Sequence, residues 1–442
     1  MPQSILELSE LLRNRKVSPR EVTRDCLDRI AAQDSILNSF IAVTAEAALD
    51  QAAQAEAEIF RGDWRGPLHG VPIALKDIID VANVPTTAGS KLFKNRIAKE
   101  DAEVVARLRN AGAILLGKQN MHEFAYGGSS VISAYGPVRN ACSPEHIAGG
   151  SSGGSATAVA AGLCYAALGT DTAGSVREPA ALCGVVGLKP TFDLVSIGGV
   201  FPLAPSFDHV GPITRTVADA ALLLELITGE KEKYSKIEKD SHTLRVAVPR
   251  DFFYEYLDAE VTAAVEEALR LIRNMAGSLR DIHLDVNPDR TLQAAESFAI
   301  HAEYVARSPE LYQPETLRRI RTGEHTSQAE IQRLRSELKK SREDIQRIFD
   351  DVDLLVTPTT PIPAPRLTDL QSDPDQLRPN EILLLRNTRP FNVWGLPAIS
   401  IPCGVTKNGL PIGLQIAGAH GAEKKVLQLA HAYEQATNFN EI

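Results

Sequence analysis

Cysteine is scarce and poorly spaced for chemistry. Cys26, Cys142, Cys164, Cys183 and Cys403 are the only five in 442 residues, and no two form a C-x-x-C pair. That pattern argues against a disulfide framework and a zinc site, and a reducing compartment is expected. None of the ten histidines belongs to an H-E-x-x-H motif, so that metalloprotease signature is missing. Long apolar runs are missing too. The longest low-polarity stretch, residues 156–170, is rich in Ala and Gly and falls short of the ~20 apolar residues a membrane-spanning helix needs. Residues 2–25 carry Glu7, Glu10, Arg13, Arg15 and Lys16 where a secretory signal would have an apolar core. There is no basic excess: 47 Lys and Arg against 56 Asp and Glu leave a net charge of −9. That balance argues against a nucleic-acid or anionic-membrane surface, which needs clustered cations. The expectation is a soluble, cytoplasmic protein with no nucleic-acid or membrane partner, and the charge excludes no small-molecule enzyme.

The composition present is that of a globular protein, with 44% hydrophobic and 23% charged residues and 30 Gly and 26 Pro. The length allows two or three domains at ~150 residues each, or equally one large α/β domain. Ile5, Leu8, Leu11 and Leu12 recur at helical spacing, and Ser18-Pro19 caps a second segment holding Val22, Leu27 and Ile30. Residues 3–60 are therefore predicted to be helical. Strands are predicted at 71–75, 113–116, 244–248, 353–357, 397–405 and 411–418. Helices are predicted at 102–111, 155–163, 259–275, 327–349 and 423–436. Such alternation indicates α/β layering, with chemistry on loops at strand ends. Residues 229–242 are charged and non-periodic, which reads as an exposed connection.

One motif is discarded. Gly112 to Lys118 fits G-x4-G-K, but Gln119 stands where a phosphate loop needs a hydroxyl, and the residues between read as a buried strand. Two small-residue loops are more demanding. Gly149-Gly-Ser-Ser-Gly-Gly-Ser155 opens a helix, and Gly169-Thr-Asp-Thr-Ala-Gly-Ser-Val-Arg-Glu-Pro179 follows about twenty residues later. Small residues let consecutive N–H groups converge on one point, as an oxyanion hole requires. A serine there needs a base. His209 reads as structural, whereas a neutral lysine would serve. Lowering its pKa from about 10.4 to about 7 costs on the order of 4 kcal/mol, which desolvation at a buried strand end supplies. Lys76 is so placed; Lys118 and Lys189 compete closely.

These two loops, with C-G-V-V-G-L-K-P-T at 183–191, resemble the amidase signature family. The likeness extends to H-G-V-P-I-A-L-K-D at 69–77, P-T-T-A-G-S at 85–90 and G-A-I-L-L-G-K-Q-N-M-H-E-F-A at 112–125. It continues in D-H-V-G-P-I-T-R-T at 208–216 and G-L-P-A-I-S-I-P-C-G at 395–404. The resemblance implies one α/β domain over 1–442, with a central mixed sheet covered by helices on both faces. Within it lie a helical segment at about 1–60, a catalytic core at about 65–228, the charged connection at about 229–242 and a pocket-forming portion at about 243–442. It implies a Ser–cisSer–Lys triad of Ser175 as nucleophile, Ser151 as proton relay and Lys76 as base. The backbone N–H groups of Thr172, Ala173, Gly174 and Ser175 would form the oxyanion hole, supported by Ser152, Asp171 and Arg177.

The implied activity is hydrolysis of a small carboxamide through an acyl-enzyme, without metal or cofactor. The implied partner is a small-molecule amide, and homodimers are frequent among such enzymes. Two features depart from the commonest pattern: Ala173 stands where Gly is usual, and Glu178 is expected to face away in a salt bridge. Aromatic and Arg side chains at 296–325 and 386–396 are candidate pocket walls. Residues 387–395, Asn-Thr-Arg-Pro-Phe-Asn-Val-Trp-Gly, resemble stand-alone amidases. The alternatives are the glutamine-hydrolysing component of a tRNA-dependent amidotransferase and an inactive binding subunit.

Overall fold

Among the described residues eleven strands form one mixed sheet. They are β1 (Phe40–Val43), β2 (Pro72–Lys76), β3 (Ile114–Gln119), β4 (Ala166–Thr170), β5 (Val186–Lys189) and β6 (Val210–Thr214), then β7 (Arg245–Pro249), β8 (Ser278–Ile282), β9 (Leu354–Pro358), β10 (Ala398–Val405) and β11 (Pro411–Gly418). The computed structural model describes residues 4–437 and 439. Residues 1–3, 438 and 440–442, the ends of the unit expected over 1–442, lie outside the described residues. The sheet order is β1-β3-β2-β4-β6-β5-β10-β11-β9-β7-β8, and helices flank it. β5 pairs with β10 (Leu188 opposite Ile399), so strands from before and after residues 229–242 share one sheet. That segment holds neither helix nor strand, and it anchors itself through buried Tyr234 and Ser241.

Local chemistry explains most boundaries. Helix Pro19–Leu37 starts at a capping box in which Ser18 Oγ accepts from the Glu21 N–H at 3.1 Å. The Glu21 carboxylate takes the Ser18 N–H at 2.8 Å in return. Asn38, in the left-handed conformation at φ 53°, ends that helix. The stretch predicted as wholly helical is thus broken by β1. Its apolar Phe40-Ile-Ala-Val43 pairs antiparallel with β3 before helix Ala45–Arg61 begins. Helix Ala259–Met275 begins at Asp258, whose Oδ1 accepts from the Glu260 N–H at 2.7 Å. The helix predicted over 327–349 is Gln328–Asp344 with a 3₁₀ turn, Ile345–Asp350, after it.

The centre of the sheet positions the site. β2 and β4 are parallel neighbours, with Leu75 opposite Leu168, and both are buried throughout. Their C-terminal ends, Lys76 and Thr170, therefore emerge side by side. The loop after Thr170 carries the second glycine-rich motif. The first leads into helix Gly153–Ala160, which packs on the same strands. Loops outside the carboxyl ends of parallel strands are where α/β sheets place ligands.

Candidate active site

Lys76 ends β2 with its side chain fully buried. Its Nζ lies 2.7 Å from Ser151 Oγ, 2.7 Å from Thr170 Oγ1 and 3.5 Å from Thr170 O. Among the described residues no carboxylate contacts it. Burial lowers its pKa from 10.5 to about 7, against the more distant pull of Asp171 and Asp208. Three acceptors match the three protons of an ammonium. Once one proton leaves, the lone pair can face the Ser151 hydroxyl while the remaining hydrogens stay on Thr170. The Gly150–Ser151 peptide is cis.

Ser175 is nearly buried, at 4% exposure, in the turn after β4. Its carbonyl accepts from the Ser152 N–H at 3.3 Å, which ties the two serine loops together. Among the described residues the Ser175 hydroxyl makes no hydrogen bond, so the Lys76–Ser151 link is formed and the Ser151–Ser175 link is open. Catalytic contacts of this kind often close only when substrate binds. Ser152 Oγ donates to Thr170 O at 3.2 Å and accepts from the Thr170 N–H at 3.3 Å.

Of the four N–H groups expected to line the oxyanion hole, Gly174's is already engaged, donating to Asp171 Oδ1 at 2.8 Å. Those of Thr172, Ala173 and Ser175 have no partner among the described residues. Ala173 does not adopt positive φ, so its methyl carries no backbone penalty. The strained position is Gly174, at φ 131°. A Cβ there would collide with Thr388 Oγ1.

Asp171 and Arg177 are joined by three hydrogen bonds, Nε to Oδ2 at 3.0 Å, Nη2 to Oδ1 at 2.9 Å and the Arg177 N–H to Oδ2 at 3.4 Å. Arg177 also donates to Thr388 O, Gln415 Oε1 and Asn392 Oδ1. Asn392 Nδ2 returns a bond to Asp171 Oδ1 at 2.8 Å. Although burial opposes it, Arg177 leads the contacts that hold the Asp171 carboxyl far below the usual range. Thr170, Thr388, Asn392 and Gln415 are not among the residues the sequence singles out. Thr170 lies inside the quoted G-T-D-T motif, and Thr388 and Asn392 lie inside the quoted 387–395 segment without being picked out there, whereas Gln415 comes from a predicted strand that carries no chemical signal.

Several expectations resolve around this centre. Glu178 makes no ion pair among the described residues. Its Oε2 accepts the Gly150 N–H at 2.7 Å behind the serine loop, and burial raises its pKa well above the ordinary range. His209 is structural: its Nδ1 faces Phe207 O and Asp171 O, and its Nε2 faces buried Lys189 Nζ at 3.3 Å. Lys118, the other rival base, pairs with Asp77 at 2.9 Å. His301, Tyr304 and Tyr312 pack with Phe93, Phe124 and Phe201 in an aromatic cluster. Phe391 and Trp394 pack on Phe253. Among the described residues no group of three or more His, Cys, Asp or Glu could hold a metal ion. No helix there is long and apolar enough to cross a membrane.

Comparison with known proteins decides the lineage, because the amidase family model matches residues 21–427. The chain belongs to the amidase family. It is therefore an enzyme that hydrolyses amide C–N bonds. A solved amidase is 36% identical and superposes with a TM-score of 0.89, over 98% of this chain and 99% of its own. The A component of glutamyl-tRNA(Gln) amidotransferase from Trichlorobacter lovleyi is 38% identical over 99% of this chain and 98% of its own length. The solved component of the same name from Thermotoga maritima is 32% identical, with a TM-score of 0.76 and 95% of each chain covered.

The partner expectation is corrected by these relatives. A small-molecule amide alone, with no nucleic acid, does not fit an amidase whose curated relatives are named as subunits of an enzyme for glutamyl-tRNA. The physical reason is that net charge describes one chain's surface and is silent about the assembly that chain joins. Of the two enzyme readings, the amidotransferase component is the one the curated relatives favour.

Proposed function

We propose that this amidase releases ammonia from a primary carboxamide, glutamine foremost, as the glutamine-hydrolysing component of a tRNA-dependent amidotransferase. The observation that carries the chemistry is the 2.7 Å contact between Lys76 Nζ and Ser151 Oγ in a site where burial brings the lysine to about 7. Neutral Lys76 accepts the Ser151 proton while Ser151 takes that of Ser175, whose Oγ attacks the amide carbonyl. The N–H groups of Thr172, Ala173 and Ser175 receive the oxyanion; the Gly174 N–H stays on Asp171. Asp171, Arg177 and Ser152 hold the loop. The relay then returns the proton to the leaving nitrogen, and water cleaves the acyl-enzyme. On this reading residues 1–442 act as one cytoplasmic catalytic unit, alongside companion proteins and a charged tRNA.

A second reading, a stand-alone amidase, has its own support. The solved amidase superposes better than the solved Thermotoga amidotransferase component, at 0.89 against 0.76. The alignment to the Trichlorobacter protein runs over 482 positions against 442 residues here, so 40 or more of its positions face gaps in this chain.

Ammonia release from glutamine, with and without companion proteins and glutamyl-tRNA, separates the two when run beside aliphatic, aryl and ureido amides. Glutamine turnover that rises with the companions supports the first reading. Turnover of the other amides with glutamine inert supports the second. Undiminished hydrolysis by Ser175→Ala ends the assignment of the nucleophile in either.

A further inference from the structure

A cavity of about 450 Å³ plays no part in the proton relay. Phe252, Tyr256 and Ile382 contribute apolar wall, and Arg290, Arg386 and Arg389 contribute guanidiniums. Two neighbours in sequence tie the cavity to the nucleophile loop. Arg389 follows Thr388, whose Oγ1 donates to Ala173 O at 2.7 Å. Arg386 follows Leu385, whose Cδ2 would lie 3.1 Å from a methyl placed on Gly174.

The three arginines are compensated unequally. Arg386 donates to Glu255 Oε2 at 2.6 Å and stacks 3.7 Å over the Phe252 ring. Arg389 directs its terminal nitrogens to the carbonyls of Asn287 and Asp289. The guanidinium of half-buried Arg290 makes no hydrogen bond, and no ion pair within 4.0 Å, with any described residue. Glu381, the carboxylate whose charge reaches Arg290, is occupied by Ser129 Oγ and Arg319 Nη1, each at 2.6 Å. Burial and the guanidiniums of Arg389 and Arg378 hold Arg290 well below the ordinary arginine range. A half-buried guanidinium with no protein partner for its donors, beside an apolar wall, is complementary to a carboxylate carried on a hydrocarbon body.

We propose that this cavity seats the carboxylate and apolar body of an acidic amide substrate, with Arg290 as the direct partner of the anion. This rests on the reading of Ser175 as the acylated residue and deepens it. Glutamine supplies a carboxylate for Arg290 but leaves the Phe252, Tyr256 and Ile382 wall uncovered. A carboxylated aryl or longer alkyl amide satisfies both.

Binding is measured by calorimetry on Ser175→Ala, which keeps the pocket. The probes are 3-(4-carboxyphenyl)propanamide, its neutral parent 3-phenylpropanamide, and glutamine. The expected result is binding of the carboxylated aryl amide at least about 10-fold tighter than its neutral parent, with glutamine binding weakened by loss of the Arg290 guanidinium. Adding Arg290→Met should erase the preference over the neutral parent, and Arg290→Lys should restore part of it. Equal affinity for the charged and neutral aryl amides, or a preference that survives Arg290→Met, overturns the proposal. Wild-type hydrolysis is read separately. Selective binding of a probe that is never hydrolysed would count against the catalytic reading and leave the pocket assignment standing.

Discussion

Lys76 and Arg177 are both buried cations under the influence of Asp171, yet their surroundings follow opposite rules. Arg177 directs hydrogen bonds at Asp171, Thr388, Gln415 and Asn392, so its charge is compensated on every side. Among the described residues Lys76 meets only two hydroxyls and one carbonyl. Neighbouring Lys118 sharpens the contrast. It sits on the adjacent strand, opposite Leu75, is equally buried, and has a carboxylate at 2.9 Å. A brace benefits from a fixed charge, whereas a base must be able to lose one. Withholding a contacting carboxylate from an otherwise ordinary buried lysine is what allows that loss near neutral pH.

The largest expected effects fall on the relay. Ser175→Ala should lower kcat by ~10⁴-fold or more, and Lys76→Arg should act almost as strongly because a guanidinium stays charged. Steady-state ammonia release checks both, and substantial activity in Lys76→Arg would break the comparison. Lys76→Met carries a second signature, in stability. The folded lysine titrates near 7 and the unfolded one near 10.5, so between those values the unfolded chain binds the extra proton and wild-type stability rises with pH. Any stabilisation of Lys76→Met over wild type should be largest near pH 7 and shrink toward pH 10 in thermal unfolding. A gain independent of pH would contradict the buried neutral amine.

On the arginine side the effects are structural. Asp171→Asn leaves the Arg177 charge uncompensated and should cost about 3–5 kcal/mol in denaturant unfolding. Replacing the pair together with apolar residues should cost less than that. If the single and double changes cost the same, the two residues do not act as a unit.

Glu178→Gln is expected to be the mildest change. The buried carboxyl is held protonated well above its ordinary 4.5, and an amide keeps an oxygen acceptor for the Gly150 N–H. Activity near pH 7 should stay within a few-fold. Because the folded carboxyl retains a proton the unfolded one has lost, wild-type stability falls as pH rises above 4.5. The variant's stability advantage should therefore grow over that window, opposite in sign to the Lys76→Met trend. A flat difference would mean that Glu178 is ionised in the fold.

Periodicity made much of the fold legible. Helix 259–275 matches Ala259–Met275, and β10 and β11 fall within a residue of the expected runs, because each is long, regular and bounded by caps or turns. β1 was hidden by its brevity between two helices. β8 was hidden by the polar Ser-Leu-Arg-Asp-Ile of a strand at the sheet's edge, where one side faces water. The strand order was not readable, since β5 finds β10 more than 200 residues along the chain. Lys76, Ser151 and Ser175 were legible only through their motifs; their own physics left Lys118 and Lys189 as near rivals. What distinguishes Lys76 from Lys118 is the lack of a contacting carboxylate, and from Lys189 its contact with Ser151 Oγ; residue spacing encodes neither. Thr388, Asn392 and Gln415 brace the loop from 211 to 238 residues away along the chain, beyond any local pattern.

The rate at which a fluorophosphonate labels Ser175, followed from pH 5 to pH 9 in wild type and in Lys76→Met, tests the neutral-lysine relay most directly. Wild type should show a labelling limb with its midpoint near 7, and the variant should be slower by ~10³-fold or more and nearly flat across that limb. Labelling of Lys76→Met at the wild-type rate, or a wild-type profile with no limb between pH 6 and pH 8, would contradict it.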